Sequence, residues 1–304
     1  MIYDADCPNV VVVLSTFNGL DHLKNQIDSV LSQTYPGIRL LVRDDGSTDG
    51  TRDLLATYKD DMRVQCEFGE NLGVVQSFYT AAQIAAADCD YLAFCDQDDV
   101  WYPHKIERAV TRLESYKNRR EPIAYCSEYR FCDGELNPTC ISRLNDGHLS
   151  FQRTLFENKT SGNTLVINKM LLNEYLASGC DDVTWHDWWI ALIAYSIGSV
   201  IFDDYCCLDY RRTGNNVSPT GAGFLSLLKY RYEYFFGSGN LHMISSQLRK
   251  LERLYGMRMD PDKLKVLQLF NSGPRIRKAV FPSRLREKYS DELFLRLLFL
   301  IGCL

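Results

Sequence analysis

Three aspartates, Asp96, Asp98 and Asp99, stand in the stretch YLAFCDQDDVWYP, residues 91–103, directly after an almost wholly apolar run. Like charges this close destabilise one another unless a cation joins them. In an extended segment Asp96 and Asp98 point one way, and Gln97 and Asp99 the other. The spacing therefore presents two carboxylates to one ligand set. A hard divalent cation such as Mg2+ or Mn2+ takes oxygen ligands, and one or two carboxylates suffice for it. Water and substrate phosphates supply the rest. An EF-hand is excluded, because the loop lacks its glycine and its downstream glutamate. The competing reading is a solvated acidic turn.

Three further clusters could carry chemistry. RDDGSTDGT, residues 43–51, reads as a turn followed by a helix N-cap. A turn needs only one aspartate, so Asp44 and Asp45 together suggest a ligand with hydrogen-bond donors, such as a nucleobase imide. In TWHDWW, residues 184–189, either His186 or Asp187 could cap a helix. Alternatively, Asp187 could accept a hydroxyl proton, with the indoles of Trp188 and Trp189 offering apolar faces to a sugar ring. His186 suits packing or support of its neighbour better than catalysis. In LDYRRTGNNVSP, residues 208–219, Arg211 and Arg212 could neutralise a diphosphate, and GNN is equally a turn.

These residues need a frame. NVVVVLST (9–16) is a β-branched run readable as a strand buried on both faces, and residues 20–33 carry apolar side chains at helical spacing. IRLLVRD and MRVQCEF read as strands with a short helix between them, VVQSFYTAAQIAAA as a helix and DYLAFCD as a strand. The alternation, which continues to about residue 117, predicts an α/β fold with a mostly parallel sheet covered by helices on both faces. Ligands bind such sheets at the carboxyl ends of the strands, where STFN, RDDGSTDGT and DQDD all fall. From about 120 to 215 the pattern is mixed, with short strands and one helix beginning near Trp185. Gly214–Gly223, with Pro219, marks the expected boundary to a helical region over 221–304.

The net charge of −5 argues against broad nucleic-acid binding. Eleven scattered cysteines with no CxxC pair fit free thiols in a reducing cytoplasm. The opening MIYDADCPN is not a signal peptide, and no apolar run reaches the roughly 20 residues that span a bilayer. Residues 275–288 are locally basic, and ELFLRLLFLIGCL follows them. That order suits the cytoplasmic face of a membrane, and it suits an ordinary packed terminal helix equally.

The series VVVVLSTFNG, SVLSQTYP, RDDGSTDGT, ENLGVVQSF, FCDQDDVWYPHKI, HDWW and YRRTGNNVS resembles glycosyltransferase family two, the GT-A enzymes that use nucleotide sugars. It spans residues 9–218 and is closest to the bacterial branch that builds capsule, O-antigen and rhamnan chains, in which many members are rhamnosyltransferases. The resemblance implies a GT-A, Rossmann-like catalytic domain over 1–220, with nucleotide-sugar binding at about 9–120 and acceptor binding at about 121–220. It implies that Ser15, Thr16, Phe17 and Asn18 line the nucleobase pocket, with Asp45 accepting the base N–H beside Asp44. Asn71 and Gly73 fall near the ribose, Asp96 at ribose or metal, and Asp98 at an Mn2+ or Mg2+ ion bridging the diphosphate. Asp187 is the implied base, with His186, Trp188, Trp189, Arg211 and Arg212 on the acceptor and diphosphate side. The implied reaction is inverting transfer of rhamnose or a hexose from a dTDP- or UDP-sugar to a lipid-linked saccharide, compatible with a homo-oligomer.

The chain departs from the branch in three places. Leu20 stands where Glu is frequent, Ser77 where Asn is frequent, and Arg212-Thr213 where Gln-His is common. The last removes a potential third metal ligand. Two other classes fit some of the residues. One is a haloacid-dehalogenase-like phosphatase with Asp96 as nucleophile and Asp98 as acid/base, although that motif usually follows the first strand rather than the fourth. The other is a carbohydrate-binding protein of the same fold without turnover.

Overall fold

A computed structural model describes residues 7–212 and 240–304. The expectations for Thr213, for the Gly214–Gly223 boundary and for a helix over 224–236 lie outside the described residues. The chain begins β1 (Val10–Thr16), α1 (Leu20–Leu31), β2 (Ile38–Asp44), α2 (Thr51–Ala56), β3 (Val64–Phe68), α3 (Val74–Ala85), β4 (Tyr91–Cys95). It continues through β5 (Val100–Trp101), α4 (Lys105–Glu114), β6 (Ile123–Cys132), β7 (Pro138–Ile141), α5 (Phe151–Thr154), β8 (Val166–Asn168), α6 (Lys169–Ser178), α7 (His186–Ile197) and β9 (Ser199–Arg211). The C-terminal helices are α8 (Asn240–Tyr255), α9 (Pro261–Ser272), α10 (Arg275–Ala279) and α11 (Tyr289–Ile301).

Among the described residues the strands form one sheet in the order β3-β2-β1-β4-β8-β6-β9-β5, with β7 on β6. The half from β3 to β4 is parallel, as the strand–helix alternation requires. Alternate residues of β1 enter the two cores: Val11 and Val13 pack with Phe78 and Phe94, and Val10, Val12 and Leu14 with Leu23, Ile27 and Ile106. Burial on both faces explains why this strand is a continuous apolar run instead of an alternating one. Beyond β4 the sheet is mixed. β8 runs antiparallel to β4 and β6, β6 and β9 are parallel, and β5 is antiparallel to β9. β5 and β8 hold two and three residues, too few to leave a periodic signal.

The C-terminal helices share the core of α6 and α7. Ile244, Leu248, Leu251 and Tyr255 of α8 lie in the same buried cluster as Trp188, Trp189 and Tyr175. Lys250 ties α8 down by donating to the carbonyls of Gly179 and Asp181 at 3.0 and 2.6 Å.

Candidate active site

The ends of β1, β2 and β4 sit side by side, Thr16 opposite Asp44 and Leu14 opposite Cys95. The loops they launch are therefore neighbours. At the β1 end, Thr16 is buried and its hydroxyl donates to Gln97 Oε1 at 2.7 Å, which also accepts the Phe17 N–H at 2.9 Å. Gln97 thus staples the β1 loop to the acidic loop. A Cβ on Gly19 would lie 2.6 Å from the same Gln97 oxygen, so the close approach needs glycine there. Sequence reasoning placed Gln97 opposite Asp96 and Asp98 but gave it no role. Asn18 takes a left-handed φ of 49°, its side-chain oxygen accepts the Thr48 N–H and its own N–H donates to Ser47 Oγ, each at 2.8 Å. It is a strut between the β1 and β2 loops. Ser15 bonds Ser77 at 2.6 Å, while Phe17 keeps 46% of its surface exposed at the mouth.

At the β2 end both carboxylates are engaged by arginine. Asp44 accepts Arg52 Nε at 2.6 Å and Ser47 N at 3.2 Å, leaving its buried Oδ2 without a partner among the described residues. Asp45 is paired with buried Arg43 and also accepts the N–H groups of Leu72 and Gly73, each at 2.9 Å. This alters the expectation for Asp45: with both oxygens occupied, its work in this structure is to shape the loop. Arg43, which sequence reasoning passed over as part of a strand, also donates to Ser77 at 2.8 Å and to the Glu70 carbonyl at 3.2 Å. Asn71 accepts the Gly73 N–H at 3.2 Å, and Gly73 opens α3 at φ 80°. Both belong to the scaffold of the same loop.

The β4 end differs. Asp99 is fully buried and holds the loop, accepting Asn163 Nδ2 at 2.7 Å and Arg211 N at 3.2 Å. Lys105, buried beneath it, donates to the Asn163 carbonyl and lies 3.3 Å from the centre of the Trp101 ring. Asp96 and Asp98 receive no comparable pairing from the described residues. Burial, then Asp98 and Asp187, push the Asp96 carboxyl up to about 7. Burial raises Asp98 as well, against the pull of His22 and Arg211. A cation between them would remove both penalties, and their oxygen-only chemistry fits Mn2+ or Mg2+. Among the described residues no third His, Cys, Asp or Glu completes a metal cluster. That fits a metal whose remaining positions come from substrate phosphates and water.

Asp187 opens α7 in its first turn and faces this group closely enough to raise Asp96. Its carboxylate accepts Trp188 N at 2.7 Å and Gly162 N at 3.0 Å. A side chain at Gly162 would crowd both His186 and Asp187, so glycine lets that backbone donor approach. Burial lifts the Asp187 carboxyl to about 6, with the Trp188, Gly162 and Asn158 donors pulling the other way. The result is a partly buried carboxylate that can exchange a proton near neutrality.

Its neighbours correct the sequence reading. Trp188 and Trp189 do not shape an acceptor surface. They are buried at 3% and 0% exposure, with indole N–H groups donating to Thr154 O and Ser178 Oγ at 2.6 and 2.8 Å. A helix buried on nearly all sides needs large apolar side chains there, and that demand explains the pair. His186 takes the packing alternative of the two read from the sequence. It stacks on Phe78 with ring centres 4.2 Å apart, neither nitrogen has a partner among the described residues, and burial lowers it to about 3, which favours the neutral ring.

Arg211 donates to the Asp98 carbonyl at 2.9 Å and the Gly134 carbonyl at 2.6 Å, fastening β9 to the acidic loop. Arg212 lies over the Phe131 ring at 3.9 Å. A cavity of about 590 Å³ lies elsewhere, at the amino-terminal ends of β4 and β6 beside Asp90, Glu114, Arg119 and Lys169. It contains none of the residues above.

Residues 11–143 match Glycosyl transferase family 2. A putative teichuronic acid biosynthesis glycosyltransferase, TuaG of Bacillus subtilis, is 37% identical over 105 residues, covering 34% of this chain and 41% of that protein. The UDP-Glc:alpha-D-GlcNAc-diphosphoundecaprenol beta-1,3-glucosyltransferase WfaP of Escherichia coli is 32% identical over 108 residues, 36% of this chain and 42% of that one. The matches thus span about a third to two fifths of the relatives' length. The structure of S. aureus TarS 1–349 in complex with UDP-GlcNAc superposes with a TM-score of 0.60 at 14% identity, covering 97% of this chain and 81% of that one. The mixed α/β architecture is therefore a GT-A fold, and the similarity to glycosyl transferase family 2 lies in residues 11–143.

Proposed function

We propose that this protein is an inverting, metal-dependent glycosyltransferase. It moves rhamnose or a hexose from a dTDP- or UDP-linked donor to a growing, lipid-linked surface saccharide of the capsule or O-antigen kind. The observation that carries the reading is Asp187, a carboxylate held by backbone donors at the start of a buried helix, facing Asp96 across the ends of two other elements. Binding alone requires no such base. The family match also spans Asp96 and Asp98, which favours transfer over an aspartyl-phosphatase reading of the same motif.

The β1 and β2 loops receive the nucleoside, with Phe17 open at the mouth. Asp44, with one oxygen not engaged, is better suited than Asp45 to meet a base donor. Asp96 and Asp98 hold the divalent ion, which when bound supplies Lewis-acid stabilisation of the departing diphosphate. Arg212, extending from the end of β9 over Phe131, adds positive charge on the same side. Asp187 takes the proton from the acceptor hydroxyl as that oxygen attacks the anomeric carbon, and inversion follows from a single displacement. The catalytic part spans 1–220, and the C-terminal helices between Asn240 and Ile301 pack on it. Eleven unpaired cysteines fit a reducing, cytoplasmic setting.

Asp187→Asn tests the assignment. Donor binding should persist while transfer falls about 10²–10⁴-fold, the usual worth of a positioned base. In the parent protein kcat should rise as pH increases through about 6, since the base acts ionised. Transfer at the parental rate by the Asn variant would overturn the reading.

A further inference from the structure

The last two helices form an antiparallel pair with an apolar face that the described residues leave uncovered. Pairing proceeds in opposite senses along the two segments: the Arg275 guanidinium sits at Gly302, Arg296 donates to the carbonyls of Ala279 and Phe281, and Glu292 accepts Leu285 N. α11 turns Leu295, Leu298 and Phe299 into the core and leaves Leu293, Leu297, Leu300 and Ile301 outside, 50–73% exposed. Those four lie at i, i+4, i+7 and i+8, one stripe of a helix. Ile276 and Val280, 69% and 67% exposed, sit i, i+4 on the adjoining segment. Pairing of 275 with 302 and of 279–281 with 296 places them alongside that stripe. A contiguous apolar face of this kind is rare on a surface that faces only water.

Charge identifies the occupant. Between 275 and 301 the sequence has seven basic side chains against three acidic ones, in a chain of net charge −5. All three acids are already paired, Glu287 with Lys159, Asp291 with Arg286 and Glu292 with Arg296. Cations flank the stripe at both ends: Arg275 at Gly302, and Arg284 over the Tyr289 ring at 4.1 Å with exposed Lys288 beside it. Apolar side chains rimmed by arginine and lysine suit insertion at the acyl boundary with cations at the headgroups. A second copy of the chain would have to bring like charges together.

We infer that the α10–α11 face, built on Ile276, Val280, Leu293, Leu297, Leu300 and Ile301, docks on an anionic lipid bilayer surface. It does not depend on the transfer reading. The test floats the full chain with vesicles of phosphatidylcholine alone, or mixed with phosphatidylglycerol, without nucleotide or saccharide, and measures oligomeric state by light scattering without lipid. The chain should float with the anionic vesicles and remain behind with the neutral ones. Leu293→Gln/Leu297→Gln should abolish flotation at an unchanged oligomeric state and melting temperature. Arg275→Gln/Arg277→Gln should lower the partition coefficient roughly 30-fold, from about fivefold per cation. Failure to float with either vesicle, equal flotation with both, or a dimer that Leu293→Gln/Leu297→Gln dissociates would overturn it.

Discussion

The two acidic strand ends look alike in sequence and differ in how their charge is balanced. At β2, Asp44 and Asp45 each have an arginine, Arg52 and Arg43, so that cluster is neutralised on folding. At β4, Asp99 is held by Asn163 and the Arg211 N–H, while Asp96 lies close enough to Asp98 and Asp187 for both to raise it. An acid cluster that brings its own cations is balanced without any ligand. One that leaves carboxylates unbalanced in a buried place is a candidate to receive a cation.

That contrast can be broken from either side. Asp98→Ala should remove Mn2+-dependent donor binding altogether in calorimetry, yet raise the melting temperature of the metal-free protein, because it deletes a charge that burial disfavours. A fall in metal-free stability would put Asp98 in the balanced class with Asp45. Arg43→Leu should do the reverse, costing about 3–5 kcal/mol in urea unfolding by leaving Asp45 without its buried cation.

His186 sharpens the same comparison through pH. Its folded value of about 3 lies below the unfolded 6.5, so the unfolded chain binds the extra proton between them. Its stabilisation is complete above about pH 6.5 and is lost as pH falls toward 3, at up to about 1.4 kcal/mol per pH unit. His186→Phe should flatten that part of the stability profile, and an unchanged slope would mean that the imidazole is solvated. The smallest effect is expected at Arg52, whose side chain is 46% exposed. Arg52→Ala should cost about 1 kcal/mol, because water can replace the guanidinium. A loss as large as that at Arg43 would show Asp44 to be equally dependent on its cation.

Much of this was readable from residue order. The parallel half of the sheet, the loops at its carboxyl ends and the different duty of Asp99 follow from strand–helix alternation and from side chains alternating along an extended segment. Asp187 stood out as an acid opening a helix. The partners were not readable. Gln97 reaches across 80 residues to Phe17, and nothing in the strand IRLLVRD names Ser77 or the Glu70 carbonyl as partners of Arg43. Trp188 and Trp189 misled for a related reason: an indole beside an acid looks the same in sequence whether it meets sugar or core.

By itself, then, the sequence determined the element types, the half of the topology that local periodicity enforces, and the residues able to do chemistry. Only the tertiary structure decided which acids are neutralised, which aromatic rings are buried and which side of α11 remains uncovered. The physical reason is range. Periodicity and capping act over a few residues, whereas desolvation and ion pairing depend on groups brought together from distant parts of the chain, and those set the charge state of each carboxylate.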